Sequence, residues 1–226
     1  RKSVIPSIHL KSISNKKIIN VHIQDPKVDY KHFDIIVAPE HDAIKGENVI
    51  ITKGAIHYLT EEEILENKEY LDSFIKKDNR KIWALILGGP TKYYDYSTKN
   101  MKHIFSMFYK LLKKHDFQIV VIPSMRTPIS TIHYAKEFFG EDHTIMMDVN
   151  KKAYLSALAI SENIVVTCDS SSMISEAALT GKPIYIANIL SKKNDKRFQR
   201  FRNLFRELNI TRNLGEEVEI WNYEKL

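Results

Sequence analysis

The stretch that most constrains this chain runs Ile164-Val165-Val166-Thr167-Cys168-Asp169-Ser170-Ser171-Ser172-Met173-Ile174-Ser175-Glu176-Ala177-Ala178-Leu179-Thr180-Gly181-Lys182-Pro183-Ile184-Tyr185-Ile186. An apolar β-branched run leads into an Asp-Ser-Ser-Ser cluster, a helix-forming segment closed by Gly181 and Pro183, and a second apolar run. That order spells strand, turn, helix and strand, one βαβ unit of a parallel sheet. Ser170 or Asp169 is placed to cap the helix, so the free amides of its first turn and the positive end of its dipole point beyond the strand's carboxyl end, which suits a phosphate. Ser172 and Glu176 are four residues apart and share a face, so an acid stands one turn above that position, within reach of ribose hydroxyls. Serine-rich helix starts also occur in α/β proteins that bind no nucleotide, and the rest of the chain has to decide.

Taken in order, residues 1–17 are polar and read as a short helix or loop. Ile18 to Ile23, Phe33 to Ala38 and Asn48 to Thr52 read as three short strands of a parallel sheet covered on both faces. Their connections are brief, and the first is tight for a helical crossover. Thr60 and Glu63 form a capping box that opens a helix running to about Lys76, and the polar run Lys76-Lys77-Asp78-Asn79-Arg80 is the linker. Beyond it strand and helix alternate regularly. Strands are expected at 82–87, 117–122 and 144–147, helices at 97–115, up to Phe139 and at 151–161, then the βαβ stretch and an amphipathic helix from Asp195 to Leu208. The pattern predicts an α/β protein of Rossmann-type parallel sheets, with an incomplete first domain at residues 1–78 and a complete second domain at 79–226.

Composition narrows the class of partner. The 226 residues are 43% hydrophobic, enough for a sizeable core. The 34 basic against 28 acidic residues give a net charge of +6, spread as short lysine pairs, which fits acidic ligands or an anionic membrane surface and excludes a dedicated nucleic-acid binder. With one cysteine, Cys168, no intramolecular disulfide forms, and a reducing, cytoplasmic setting is expected. Cys168 ends a predicted strand and reads as packing rather than nucleophile. No apolar run reaches the roughly 18 residues that a spanning helix needs, and nothing resembles a signal peptide, so a soluble protein is expected. The chain begins at Arg1 rather than a methionine, which reads as a piece of a longer protein.

In an open parallel sheet, ligands sit outside the carboxyl ends of the strands. The turns expected there carry Gly88-Gly89, then Ser124, Arg126 and Thr127, then Asp169 to Ser172. Two glycines let amides approach a phosphate, Arg126 can hold one bidentately, and Glu176 takes the sugar hydroxyls. Each has a plainer reading: Gly88-Gly89 as an ordinary turn, Arg126 as a tie between loops. In the first half, Glu40-His41-Asp42 is the densest acid-base cluster, either a general base for a hydroxyl or a set of loop caps. Asp25, Glu40 and Asp42 are spaced poorly for a divalent ion, and no metal is assigned.

Ile23-Gln24-Asp25-Pro26, Phe33 through Asp42, Asn48-Val49-Ile50, Gly54-Ala55-Ile56-His57, Gly88-Gly89-Pro90, Ser124-Met125-Arg126-Thr127-Pro128, Asp169 through Glu176 and Thr180-Gly181-Lys182-Pro183 follow one another in an order that resembles the ELM (elongated mitochondria) fission-protein family, with plant and alphaproteobacterial members. The resemblance covers residues 20 to 226, down to Trp221-Asn222-Tyr223. It implies a GT-B architecture of two Rossmann-like domains, and a second domain similar to the transferase that adds N-acetylglucosamine to lipid-linked cell-wall precursors. By that resemblance Glu176 binds the donor ribose, and the glycine and serine turns bind the diphosphate. Where the family has Ser-Arg-Arg-Thr-Pro, this chain has Met125 in place of the first arginine.

The expectation is therefore metal-independent glycosyl transfer from a nucleoside-diphosphate sugar, a donor substrate rather than a cofactor. Gly88, Gly89, Ser124, Arg126, Thr127, Asp169, Ser170, Ser171, Ser172 and Glu176 would bind the donor, and His41 or Asp42, beside Glu40, would act on the acceptor. The other reading, implied by the plant relatives' part in mitochondrial division, is a recruitment module peripheral to the inner face of a membrane. Its contact would be the basic helix 195–208, flanked by Lys192 and Lys193 and carrying Lys196, Arg197, Arg200 and Arg202.

Overall fold

Apolar runs too short for helices and rich in Val and Ile become the strands of two parallel sheets. The computed structural model describes residues 3–226. The chain divides into two compact units between Ile56 and His57.

The first unit has a helix α1 (Val4–Ile13) and strands β1 (Val21–Ile23), β2 (Ile35–Pro39) and β3 (Val49–Thr52), parallel and in the order β1-β2-β3. Single 3-10 turns, Tyr30–His32 and Glu40–Asp42, stand where crossover helices would be. Ile36 and Ala38 of β2 meet Val4, Phe33 and Ile44 in a small core. Side chains alternate along a strand, and the register Ile23↔Val37↔Ile50 puts these three on the other face. There Ile23 and Ile50 are 56% and 54% exposed. This corrects the expectation of a buried first strand and of a sheet covered on both faces.

The second unit contains α2 (Glu61–Glu66), β4 (Ile82–Leu87), α3 (Thr98–His115), β5 (Gln118–Pro123), α4 (Ile129–Phe139), β6 (Thr144–Ile145), α5 (Lys151–Ile160), β7 (Asn163–Thr167), α6 (Ser171–Ala177), β8 (Ile184–Ala187), α7 (Lys196–Glu207) and β9 (Thr211–Asn213). The sheet order is β6-β5-β4-β7-β8-β9, all parallel. The chain winds outward through β4, β5 and β6, returns beside β4 as β7, and winds outward the other way. Right-handed crossovers then place α3 and α4 on one face and α5 on the other, and both faces of β5 and β7 are buried. Trp83 of β4 lies between Phe117 and Tyr185, ring centroids 4.5 and 5.5 Å away. Trp221 closes edge-on against Tyr185 at 5.1 Å.

The boundary between units lies ahead of the expected linker at residue 78, because the segment after α2 belongs to the second core. Leu71 is fully buried, its amide donates to Ser156 Oγ of α5 at 3.1 Å, and that hydroxyl donates to the Lys68 carbonyl at 2.6 Å. The helix expected from Thr60 to Lys76 is an α-turn pair followed by a 3-10 stretch, Lys68–Ser73. Thr60 does cap it, accepting the Glu63 amide at 3.2 Å, while the Glu63 carboxylate turns to Lys151 at 2.5 Å instead of closing the capping box.

His143 shows how the core sets a charge. The residue is 8% exposed and its Nδ1 accepts the Ile119 amide at 3.3 Å, so the neutral ring is required. Burial lowers its pKa from the ordinary 6.5. Below 6.5 the unfolded chain binds a proton that the folded chain refuses, so stability is lost as the pH falls toward the depressed folded value. Denaturant unfolding between pH 7 and pH 5 is expected to show a steeper loss for the parent than for His143→Gln; equal slopes would contradict the assignment.

Candidate active site

A cavity of about 500 Å³ opens in the second unit at the carboxyl ends of β4 and β5, between the loop after β5 and the starts of α5 and α6. Ile86, Pro123, Leu155 and Met173 give it apolar walls, and Ser124, Arg126, Asn150, Tyr154, Ser170, Ser172 and Glu176 bring polar groups to it. Apolar walls with polar groups converging on them are the usual composition of a small-molecule site.

The start of α6 builds one side. Ser170 caps the helix, its Oγ accepting the Met173 amide at 3.4 Å, and the first intrahelical bond runs from Ile174 to the Ser170 carbonyl. The amides of Ser171 and Ser172 precede that bond and have no intrahelical acceptor. One turn on, Glu176 lines the cavity with Ser172. Its Oε2 accepts the Tyr154 hydroxyl at 2.7 Å.

Beside the cavity, where the winding reverses between β4 and β7, a buried network fills the crevice. The Asp169 side chain is 0% exposed, and its carboxylate accepts the Gly89 amide at 3.0 Å, the Tyr96 hydroxyl at 2.6 Å and Arg126 Nη2 at 2.9 Å. The Gly88 amide donates to Thr167 Oγ1 at 2.8 Å. Burial, and next the charge of Asp169, hold the Tyr96 phenol well above its ordinary pKa, so it stays a donor. The amides of Gly88 and Gly89, expected at a diphosphate, are thus engaged inside the protein. Their missing side chains serve the network: a Cβ on Gly88 would meet the Asp169 carboxylate, and one on Gly89 the Arg126 backbone carbonyl. Thr127 likewise ties loops together, its Oγ1 accepting the Ser124 amide at 2.8 Å and donating to the Gly88 carbonyl at 2.5 Å. Arg126 has both of its expected roles, bound to Asp169 and to the Gly89 carbonyl yet 44% exposed at the cavity wall.

Of the residues singled out from sequence, Ser124, Arg126, Ser170, Ser172 and Glu176 line the cavity; Gly88, Gly89, Thr127, Asp169 and Ser171 are not among its lining residues. Tyr96, Tyr154 and Asn150 were not foreseen. Asn150 caps α5 through the Ala153 amide at 3.0 Å and donates to the Tyr70 hydroxyl at 2.7 Å. Glu40, His41 and Asp42 lie in the first unit as a 3-10 turn. His41 is 2% exposed and its Nε2 lies 4.0 Å from Asp42 Oδ1, while Glu40 is exposed and pairs with Lys53 at 2.9 Å. Among the described residues no group of three or more His, Cys, Asp or Glu is placed to hold a metal ion.

Two other expectations can be placed. Cys168 accepts the Ile189 amide at 3.2 Å, and burial pushes its thiol up to about 11, in keeping with packing. The apolar side of α7 is spent inside the protein, with Phe201 and Phe205 buried, and Arg202 is tied to the Tyr94 hydroxyl at 2.7 Å and to Asp195 at 3.1 Å. Among the described residues no helix is long and apolar enough to cross a membrane.

This architecture, mixed α/β with parallel sheets, is similar to UDP-GlcNAc 2-epimerases of the GT-B fold. The enzyme of Methanocaldococcus jannaschii in complex with UDP-GlcNAc and UDP superposes with a TM-score of 0.53 at 16% identity, over 82% of this chain and 51% of that one. For S. aureus MnaA with UDP the TM-score is 0.55 at 12% identity, over 95% and 66%. The family model described as "Mitochondrial fission ELM1" matches residues 1–226, and the chain belongs to that family. It is 20% identical to the mitochondrial fission protein ELM1 of Arabidopsis thaliana and 24% identical to protein RP120 of Rickettsia prowazekii (strain Madrid E), over 100% and 82% of its own length. It spans 59% and 62% of those two proteins.

The crevice network makes two variants informative. Gly89→Ala forces a methyl group onto backbone and is expected to cost about 1–3 kcal/mol. Asp169→Ala strands the Gly89 amide and leaves the Tyr96 hydroxyl with Thr167 Oγ1 at 2.8 Å as its remaining partner, and is expected to cost about 1–3 kcal/mol, the exposed Arg126 adding little. Thermal denaturation reads both, at about 2–4 °C per kcal/mol for a chain of this size. A melting temperature for Asp169→Ala equal to the parent's would contradict the account.

Proposed function

We propose that this chain binds a nucleoside-diphosphate sugar in the second-unit cavity and passes its glycosyl group to an acceptor hydroxyl. The observation that carries the proposal is the convergence of Ser170, Ser172 and Glu176, all from one strand-turn-helix segment, on an amphipathic cavity at the carboxyl end of a doubly wound sheet. The similar structures are complexes with UDP-GlcNAc and UDP, and these two nucleotides are the probes.

Each group has a task in this reading. Glu176 Oε1 has no protein partner among the described residues and accepts ribose hydroxyls. The diphosphate faces the first-turn amides of α6 and the exposed edge of Arg126, since the Gly88 and Gly89 amides are already engaged. Leu155, Met173 and Val149 offer apolar surface to the base. In the transfer itself, the bond from the anomeric carbon to the phosphate oxygen breaks, the acceptor oxygen bonds to that carbon, and the diphosphate leaves with the bonding pair, stabilised by Arg126 and the amides. The acceptor proton is released to solvent as the new bond forms.

Isothermal calorimetry with UDP and UDP-GlcNAc tests the donor site. Binding in the micromolar to low millimolar range is expected, weakened about tenfold or more in Glu176→Ala, as for the loss of a hydrogen bond to a charged group. Absence of binding at millimolar nucleotide, or equal affinity in Glu176→Ala, would overturn the proposal.

A further inference from the structure

Glu176 does not reach the cavity as a free side chain. Its Oε2 is fixed by the Tyr154 hydroxyl at 2.7 Å, an interaction between α5 and α6 that no local sequence pattern announces. Tyr154 is itself half-buried against the core, beside Leu155 and Asn150 at the cavity wall. Burial, and then the charge of Glu176, hold its phenol well above the ordinary value of 10, so at neutral pH the hydroxyl is always a donor toward the acid. A glutamate loses appreciable rotamer freedom when a ligand immobilises it, and a side chain already held loses less. One carboxylate oxygen is committed to Tyr154, and the residue lines the cavity.

We propose that Tyr154 is a positioning residue that presets the Glu176 carboxylate as an acceptor for ribose hydroxyls, making the cavity discriminate a ribonucleotide from one lacking its sugar hydroxyls. The inference rests on the nucleotide-binding reading above and deepens it. A deoxygenated sugar leaves Glu176 Oε1 without a donor in a partly desolvated site, and the loss is large only because the oxygen cannot swing out to water. Tyr154 touches no ligand in this scheme. It acts through the acid.

The test compares UDP with 2′,3′-dideoxyuridine diphosphate, which keeps the base and both phosphates, by calorimetry on the parent chain, Tyr154→Phe and Glu176→Ala. The parent is expected to prefer UDP by about tenfold or more. In Tyr154→Phe that preference falls to about threefold or less, while affinity for the dideoxy probe stays within about twofold of the parent's. Glu176→Ala shows the same collapse. A Tyr154→Phe protein that loses affinity for both probes in parallel has a merely structural tyrosine, and one that keeps the parent's preference has an idle one; either overturns the inference and leaves nucleotide binding intact. If Tyr154→Phe does not fold, Glu176→Ala alone decides, since an unchanged preference there overturns the inference as well. If the parent binds neither probe, the nucleotide reading itself falls.

Discussion

The carboxylate of Asp169 is the point on which the second unit's chemistry turns. It sits where the sheet reverses its winding, fully buried, and takes donors from three separate segments: the Gly89 amide after β4, the Tyr96 hydroxyl before α3 and the guanidinium of Arg126 after β5. A buried acid is tolerable only when well-aimed donors meet it, and here three do, on both of its oxygens. The result is that three loops are locked to the end of β7. The cavity beside them therefore has a rigid rim.

This shifts the anion-binding work from where a doubly wound sheet would first place it. The crevice between β4 and β7 is filled by protein, and the glycines there exist to let a carboxylate and a backbone carbonyl approach. What faces the cavity is the next turn of the same segment: Ser170, Ser172 and Glu176, with Arg126 reaching across. Arg126 is thus shared between the internal network and the cavity wall. In the proposed donor site it serves as a charge already oriented by Asp169, which lowers the entropic cost of holding a phosphate.

The second unit was largely legible in the residues because its signals are local. Strands such as Ile82–Leu87 and Gln118–Pro123 are uninterrupted apolar runs, and helices such as Thr98–His115 are strongly amphipathic, so their alternation dictates a parallel three-layer domain. The family resemblance held over the whole chain. Local reading failed where the deciding interaction is distant in sequence. The segment 60–75 looked like the tail of the first domain until Leu71 was seen buried against α5. No local pattern marks Tyr154, because its partner Glu176 lies on another helix. β9 carries no apolar signal for a different reason: Thr211–Asn213 is three residues long with polar side chains throughout, joined to the sheet by its pairing with β8. In the first unit, apolarity was read as burial, yet one face of a three-stranded sheet with 3-10 connections carries Ile23 and Ile50 in the open.

The Glu40-His41-Asp42 turn and the cavity belong to different units, so the donor half of the proposal stands on the second unit's geometry alone. The most direct test of that half is a crystal structure of the chain with UDP. The account predicts the ribose within hydrogen-bonding distance of Glu176 Oε1 and the diphosphate against the amides of Ser171 and Ser172, with the Asp169 to Arg126 contact kept. Density for the nucleotide elsewhere on the chain, or a diphosphate seated on Gly88-Gly89 with Asp169 displaced, would contradict it.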